Sequence, residues 1–112
     1  MFSKKHRLAK TKDVKTTFAR GRGFFYPHFN IKYNKSGLLA PRFTVVVSTK
    51  VSKKAVSRNR IKRILREVIR LRLLEFSIGD YAIIVKPQAM KLSPVELRNK
   101  FLAAAQTARL LK

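Results

Sequence analysis

Between positions 58 and 70 the chain gathers Arg58, Asn59, Arg60, Lys62, Arg63, Arg66 and Arg70. In the same stretch Ile61, Ile64, Leu65 and Val68 recur at helical spacing, so the segment reads as one amphipathic helix. Wound that way, Arg58, Asn59, Lys62, Arg63, Arg66 and Arg70 fill a sector of roughly 140° beside the apolar arc, with Arg60 on the other flank. A face that serves only solubility mixes signs, because like charges four apart on a helix repel. Here Glu67 is the only acid among the cations. Arginine has a planar fork that grips phosphate through paired hydrogen bonds and stacks on bases. The chemistry implied is recognition of nucleic acid.

Composition points the same way. The 112 residues hold 27 Lys+Arg against 5 Asp+Glu, a formal charge of +22. Solubility needs a net magnitude of only about 2–8 in a small domain, and a compact body this charged repels itself until a polyanion relieves it. Hydrophobic residues at 46% are enough for a core, so the length predicts a single RNA-binding domain over 1–112, with 1–10 as a flexible basic arm. The absence of cysteine excludes disulfide frameworks, thiolate zinc sites and cysteine nucleophiles. No apolar run approaches the ~20 residues of a membrane span, and the basic N-terminus leads into no apolar core of a secretory signal. No membrane contact and a cytoplasmic location are expected.

The acids Asp13, Glu67, Glu75, Asp80 and Glu96 fall on separate elements. Two-metal hydrolysis needs carboxylates clustered around ions ~3.5–4 Å apart, so no catalytic residue and no metal site is expected in the protein. His6 and His28 have no evident partner and read as surface or phosphate-contacting groups.

These residues must be positioned by a framework, and the pattern supplies one. A first helix starts at Thr11 as N-cap, with Val14 and Phe18 on one face, and stops before Gly21. Short strands follow at 23–26 and across Phe29, Ile31 and Tyr33, whose alternation with Asn30 and Lys32 marks a half-buried strand. Residues 34–37 form a turn, and 42–48 is strongly β-prone. The cationic helix spans about 57–74, with Ile61, Ile64, Leu65, Val68 and Leu71 towards the core. Residues 81–86 are apolar on both faces and form a central strand. Ser93, Pro94 and Glu96 open the last helix with a capping box, and Leu97, Phe101, Ala104, Ala108 and Leu111 are its buried stripe. The order αβββαβα gives an α+β two-layer sandwich of helices on a four-stranded sheet.

The block 58–70, with its Arg-Asn-Arg start, Lys-Arg pair and following Arg-Glu, resembles the signature of the bacterial ribonuclease P protein subunit. Arg7-Leu8, Lys12-Asp13 and Phe18 match the family's N-terminal pattern, and 42–50 occupies the place of its strand and Ser-Lys-Lys-like turn. Val14 stands where the family usually has a second aromatic, Thr44 where it has a glycine, and the turn reads Ser48-Thr49-Lys50. The resemblance implies a mixed sheet with a β-α-β crossover, left-handed in the family, and a fold similar to a ribosomal-protein domain. It implies an accessory subunit of an endoribonuclease that removes the 5′ leader of precursor tRNA. The partners are a ribonuclease P RNA, which holds most of the Mg²⁺, and the leader, with one protein copy per RNA.

Carried onto this chain, the resemblance assigns leader binding to Val14, Phe18, His28, Asn30, Lys32, Arg58, Asn59, Lys62 and Arg66. Contact with the RNA subunit falls to Lys50, Lys53, Lys54, Arg60, Arg63 and Arg70. Phe18 is open between a stacking platform and a core residue. A ribosomal or RNA-chaperone protein using the same sandwich as a passive clamp stays open as a second reading. A self-sufficient nuclease is disfavoured by the scattered acids, and a DNA-reading helix by the lack of helix-turn-helix spacing.

Overall fold

The computed structural model describes residues 6–35 and 40–111. Within them run α1 (Thr11–Arg20), β1 (Arg22–Phe25), β2 (Phe29–Asn34), β3 (Arg42–Val46), α2 (Ala55–Leu71), β4 (Asp80–Val85) and α3 (Pro94–Thr107). This is the expected order. Short 3₁₀ turns at Leu73–Glu75 and Pro87–Lys91 flank β4. The strands form one mixed sheet in the order β1-β2-β4-β3. Its two antiparallel pairs are β1–β2 and β2–β4, while β3 and β4 run parallel and are joined through α2. The apolar strand β4 is therefore central, as its pattern predicts. The turn expected at 34–37 runs into residues 36–39, outside the described residues.

Helix ends follow local chemistry. At α3 the Ser93 hydroxyl accepts from the Glu96 amide (3.2 Å), and the Glu96 carboxylate accepts from the Ser93 amide (3.0 Å). The expected capping box is complete, with Pro94 at the first helical position. Thr11 is not the N-cap of α1 but its first residue. Lys10 takes the cap position and offers no side-chain bond. Helix α2 starts two residues earlier than predicted and ends at Leu71, since the chain tightens into a 3₁₀ turn there.

One face of the sheet carries the core. Phe29, Ile31, Phe43, Val45, Tyr81, Ile83 and Val85 point towards α2 and α3 and are almost fully buried. Phe43 stacks on Tyr81 (4.5 Å, 13°), Phe76 meets Phe43 edge-on (5.0 Å, 78°), and Phe101 of α3 meets Phe29 edge-on (5.9 Å, 84°). From α2 the core takes Ile61, Leu65, Val68 and Ile69. Leu71, expected inside, is 67% exposed. The buried arc is centred between Ile61 and Leu65, which leaves Leu71 roughly 100° from its middle. From α3 it takes Leu97, Phe101, Ala104 and Ala105, with Ala108 half-buried. Leu111 is buried beyond the helix and bridges Phe76.

The other face is only partly covered, by α1, which packs against β2 and β4. Its point of closest burial is Thr17, whose hydroxyl donates to the Asp13 carbonyl (3.0 Å). An ion triad fixes its start. Arg42 donates from Nε (2.8 Å) and Nη2 (2.7 Å) to both oxygens of Asp80, and from Nη1 to Asp13 (3.2 Å). Asp80 is only 4% exposed, so the bidentate geometry satisfies a carboxylate already removed from water. On the β3 edge, Arg7 bridges Phe43 and the Leu8 amide donates to the Phe43 carbonyl (2.9 Å), with Leu8 buried. In its described part, the arm expected at 1–10 thus lies docked on the sheet. Among the described residues no helix is long and apolar enough to cross a membrane.

Two stability predictions follow from these contacts. Arg42→Ala strands the Asp80 carboxylate and should cost about 3–5 kcal/mol in urea or thermal unfolding. A loss under about 1 kcal/mol would show that the triad is not a structural tie. Ser93→Ala should cost about 1 kcal/mol, or roughly 4–8 °C in Tm. Hydrogen bonding from Ser93 holds the Glu96 carboxyl below its usual range. The stability it contributes is therefore complete above about pH 4.5 and fades as pH falls through the lower folded value. The main bond comes from the Ser93 backbone amide, which alanine keeps, so Ser93→Ala should shallow that acid limb only in part, whereas Glu96→Gln should remove it.

Candidate nucleic-acid interface

On the face that α1 leaves open, strand register sets side chains in rows. Phe25, Asn30, Ile84 and Val46 form one row, and Gly23, Lys32, Ala82 and Thr44 form the next. Asn30, Lys32, Thr44, Val46 and Ile84 are half-buried, and Phe25 is 69% exposed. The Lys32 ammonium lies 5.8 Å from the centre of the Phe25 ring. Asn30 Oδ1 is buried with no hydrogen-bond partner among the described residues.

Two helices wall this floor. On α1, Val14 is half-buried and Phe18, one turn further on, is 37% exposed. Phe18 is thus not a core residue; Thr17 is. From α2 comes Arg66, which lines one hollow of about 240 Å³ together with Val14 and Thr44. Helix, sheet and cationic helix therefore meet at a single concavity. His28 stands apart, just before β2, near enough to Glu96 of α3 to help lower that carboxyl.

The cations of α2 divide by their surroundings. Arg58 is half-buried and donates from Nη1 to the Ser52 carbonyl (2.9 Å), so part of its role is to hold the turn that precedes the helix. Lys62 and Arg66 are half-buried, and Asn59 and Arg63 are exposed. Asn59, Arg63 and Arg66 line one further hollow of about 290 Å³ with Glu67, so residues expected to meet different RNAs share one surface. Arg60 lies between α2 and α3, beside Ile64 and Met90. Arg70 is paired with Glu67 (2.5 Å), which holds that carboxyl below its usual range. Lys50, Lys53 and Lys54 are exposed ahead of α2. The helix begins there with no side-chain cap and no acid in its first turn. Lys53 and Lys54 immediately precede its positive dipole end.

All five acids have internal partners. Asp13 and Asp80 converge on Arg42, Glu67 meets Arg70, Glu75 lies 3.9 Å from Arg72, and Glu96 closes the capping box. The elements bring Asp13 and Asp80 together, but around a guanidinium. Among the described residues no group of three or more His, Asp or Glu is placed to hold a metal ion. The arrangement suits a cationic cleft with aromatic and amide groups on its floor, the combination that binds single-stranded nucleic acid. Sequence reading missed Phe25, Ile84 and Val46 on the floor. The available signal was the apolar second face of β4, whose Ile84 is half-buried.

Comparison with known proteins agrees with this geometry. The Ribonuclease P family profile matches residues 2–109. The "Ribonuclease P protein component" of Aliivibrio salmonicida is 36% identical over 101 residues, covering 90% of this chain and 86% of the relative. That of Xanthomonas campestris pv. campestris is 40% identical over 74 residues, 66% of this chain, and the match spans about half (50%) of the relative's length. Among solved structures, the RNase P protein of Staphylococcus aureus superposes with a TM-score of 0.89 at 21% identity, covering 96% of this chain and 98% of its own. The RNase P protein of Thermotoga maritima gives 0.78 at 26% identity, covering 88% and 93%. With a profile match over nearly its whole length and the same arrangement of three helices on a mixed sheet, this chain belongs to the bacterial ribonuclease P protein family.

Proposed function

We propose that the chain is the protein subunit of ribonuclease P, an endoribonuclease that forms the mature 5′ end of tRNA. In this reading one copy joins a ribonuclease P RNA in the cytoplasm, and the assembly removes the leader of precursor tRNA. The observation that carries it is the concavity shared by Val14 of α1, Thr44 of β3 and Arg66 of α2. It is a groove floored by sheet and walled by cations, as an unpaired strand requires. The leader lies across Asn30 and Lys32 with a base against Phe18, while Lys62 and Arg66 neutralise its phosphates. Lys50, Lys53, Lys54, Arg60 and Arg63 face the RNA subunit, where charge positions without reading sequence. Because every carboxylate is engaged internally, the described side chains do not fit a Mg²⁺ cluster, and the metal ions belong with the RNA partner.

Reconstitution separates this reading from a passive RNA clamp and from a protein nuclease. Purified protein with Mg²⁺ should leave precursor tRNA intact, and cleavage at the mature 5′ end should be supported once ribonuclease P RNA is added at low salt. Positioned cleavage by RNA-free protein, or no effect of the protein on the RNA's activity, would overturn the assignment.

Phe18 tests the leader path. Being exposed, it can be truncated with a stability change within about 0.5 kcal/mol. Loss of base stacking is worth ~1–3 kcal/mol. Phe18→Ala should therefore weaken binding of the assembled enzyme to long-leader substrates and spare leaderless tRNA. Equal weakening of both would remove α1 from the leader path.

A further inference from the structure

At the opposite edge of the sheet from α2, on the face that carries the core, lies a cavity of about 700 Å³. Register puts Arg22 and Phe24 of β1 on this face, opposite Tyr33 and Ile31. The cavity is closed by the end of α1, by Lys35, and by the turn that follows α3. Its cations are Arg20, Arg22, Lys35 and Arg109, all exposed, and no acid lines it. None of the four makes an ion pair among the described residues. Between them stand the rings of Phe24, Tyr26 and Tyr33, each half-buried.

Two details show that this is more than a solvated rim. Tyr33 is locked. Its hydroxyl donates to the Ile78 carbonyl (2.5 Å), and its ring presses on Gly79, where a Cβ would come within 2.4 Å of ring carbon Cε1. Gly79 also has φ +154, so the contact has selected glycine twice over. The second detail is Arg109, with φ +60. It sits just past α3 in a Schellman turn, where the Leu110 amide donates to the Ala105 carbonyl and the Arg109 amide to that of Gln106. This position ordinarily holds glycine, and a long side chain there is strained. The strain persists at the mouth of a cationic, aromatic cavity, where a guanidinium is useful and a glycine is not.

We infer that this cavity is a second site for single-stranded RNA, taking one unpaired nucleotide. Its base rests against Phe24 and Tyr26, and the flanking phosphates lie on Arg20, Arg22 and Arg109. The Arg22 guanidinium already lies over the Phe24 ring at 5.2 Å, the stacked arrangement in which arginine extends an aromatic platform. A concave site of this size admits a splayed nucleotide and excludes a duplex. The site faces away from the groove between α1 and α2, so it stands or falls separately from the leader path.

The test uses the full chain and a short single-stranded RNA carrying 4-thiouridine, with crosslinked peptides identified by mass spectrometry. Crosslinks should fall on two regions, residues 20–26 with 107–110, and the α1–α2 groove. Phe18→Ala should diminish only the second. Arg109→Gly should retain the turn, so its thermal midpoint holds or rises, while the RNA concentration that half-saturates crosslinking at 20–26 rises about tenfold, as expected for one charge-assisted contact, and crosslinking in the α1–α2 groove is unchanged. A duplex of equal length should not compete for residues 20–26. In the assembled enzyme, 4-thiouridine in the leader or in the ribonuclease P RNA shows which RNA supplies the nucleotide, and a crosslink from either supports the site. Crosslinks confined to the α1–α2 groove, or unchanged half-saturation at 20–26 in Arg109→Gly, would overturn it.

Discussion

A chain with 27 cations and 5 acids must spend each carboxylate where it does most, and the decisive use is at Arg42. Its guanidinium takes both oxygens of the nearly buried Asp80 and reaches Asp13 as well. Arg42 and Asp80 are register partners at the start of the parallel β3–β4 pair, while Asp13 belongs to the first turn of α1. One charged group therefore sets where the crossover strands begin and where α1 crosses the sheet. Every feature of the groove depends on that placement. Were α1 to lie elsewhere, Val14 would not line the hollow it shares with Thr44 and Arg66.

The two faces of the sheet then take opposite roles. Aromatic packing around Phe43, Tyr81, Phe76 and Phe101 concentrates the hydrophobic contribution on one side, which allows the other side to stay partly uncovered. Small residues make this workable. Ala82 on β4 and Thr17 on α1 let helix and sheet approach closely at one end, and the remaining floor stays accessible. Positive charge accumulates at both edges without acids to mask it. The net repulsion this creates is offset by burial in the core on the opposite face.

Much of this was legible in the residues. The capping box at Ser93, the central position of β4 and the alternation of β2 follow from rules that act over a few positions. So does the cationic face of α2, whose signal is the absence of compensating acids. What escaped were the contacts between distant elements. Nothing near Arg42 in the chain announces Asp80 or Asp13, and Thr17 reads as polar until its hydroxyl is seen to be satisfied by its own helix. Leu71 failed because a helical arc has a width, and its edge residues are assigned by neighbours that the wheel does not contain. Arg109 could not be anticipated at all, since a strained αL residue other than glycine is the reverse of what local preference selects.

The docking of Arg7 and Leu8 along Phe43 has one more consequence. Strand β3 ends the sheet and carries Phe43, Val45 and Val46, a β-prone run along an edge. In the free protein, mutual repulsion between highly charged molecules keeps such edges apart. Where salt screens that charge the repulsion fades, and a physical cover is what limits strand addition between neighbouring molecules. The short parallel bridge from the N-terminal segment supplies it. The cover works through main-chain pairing, so it persists under conditions in which electrostatic protection is lost.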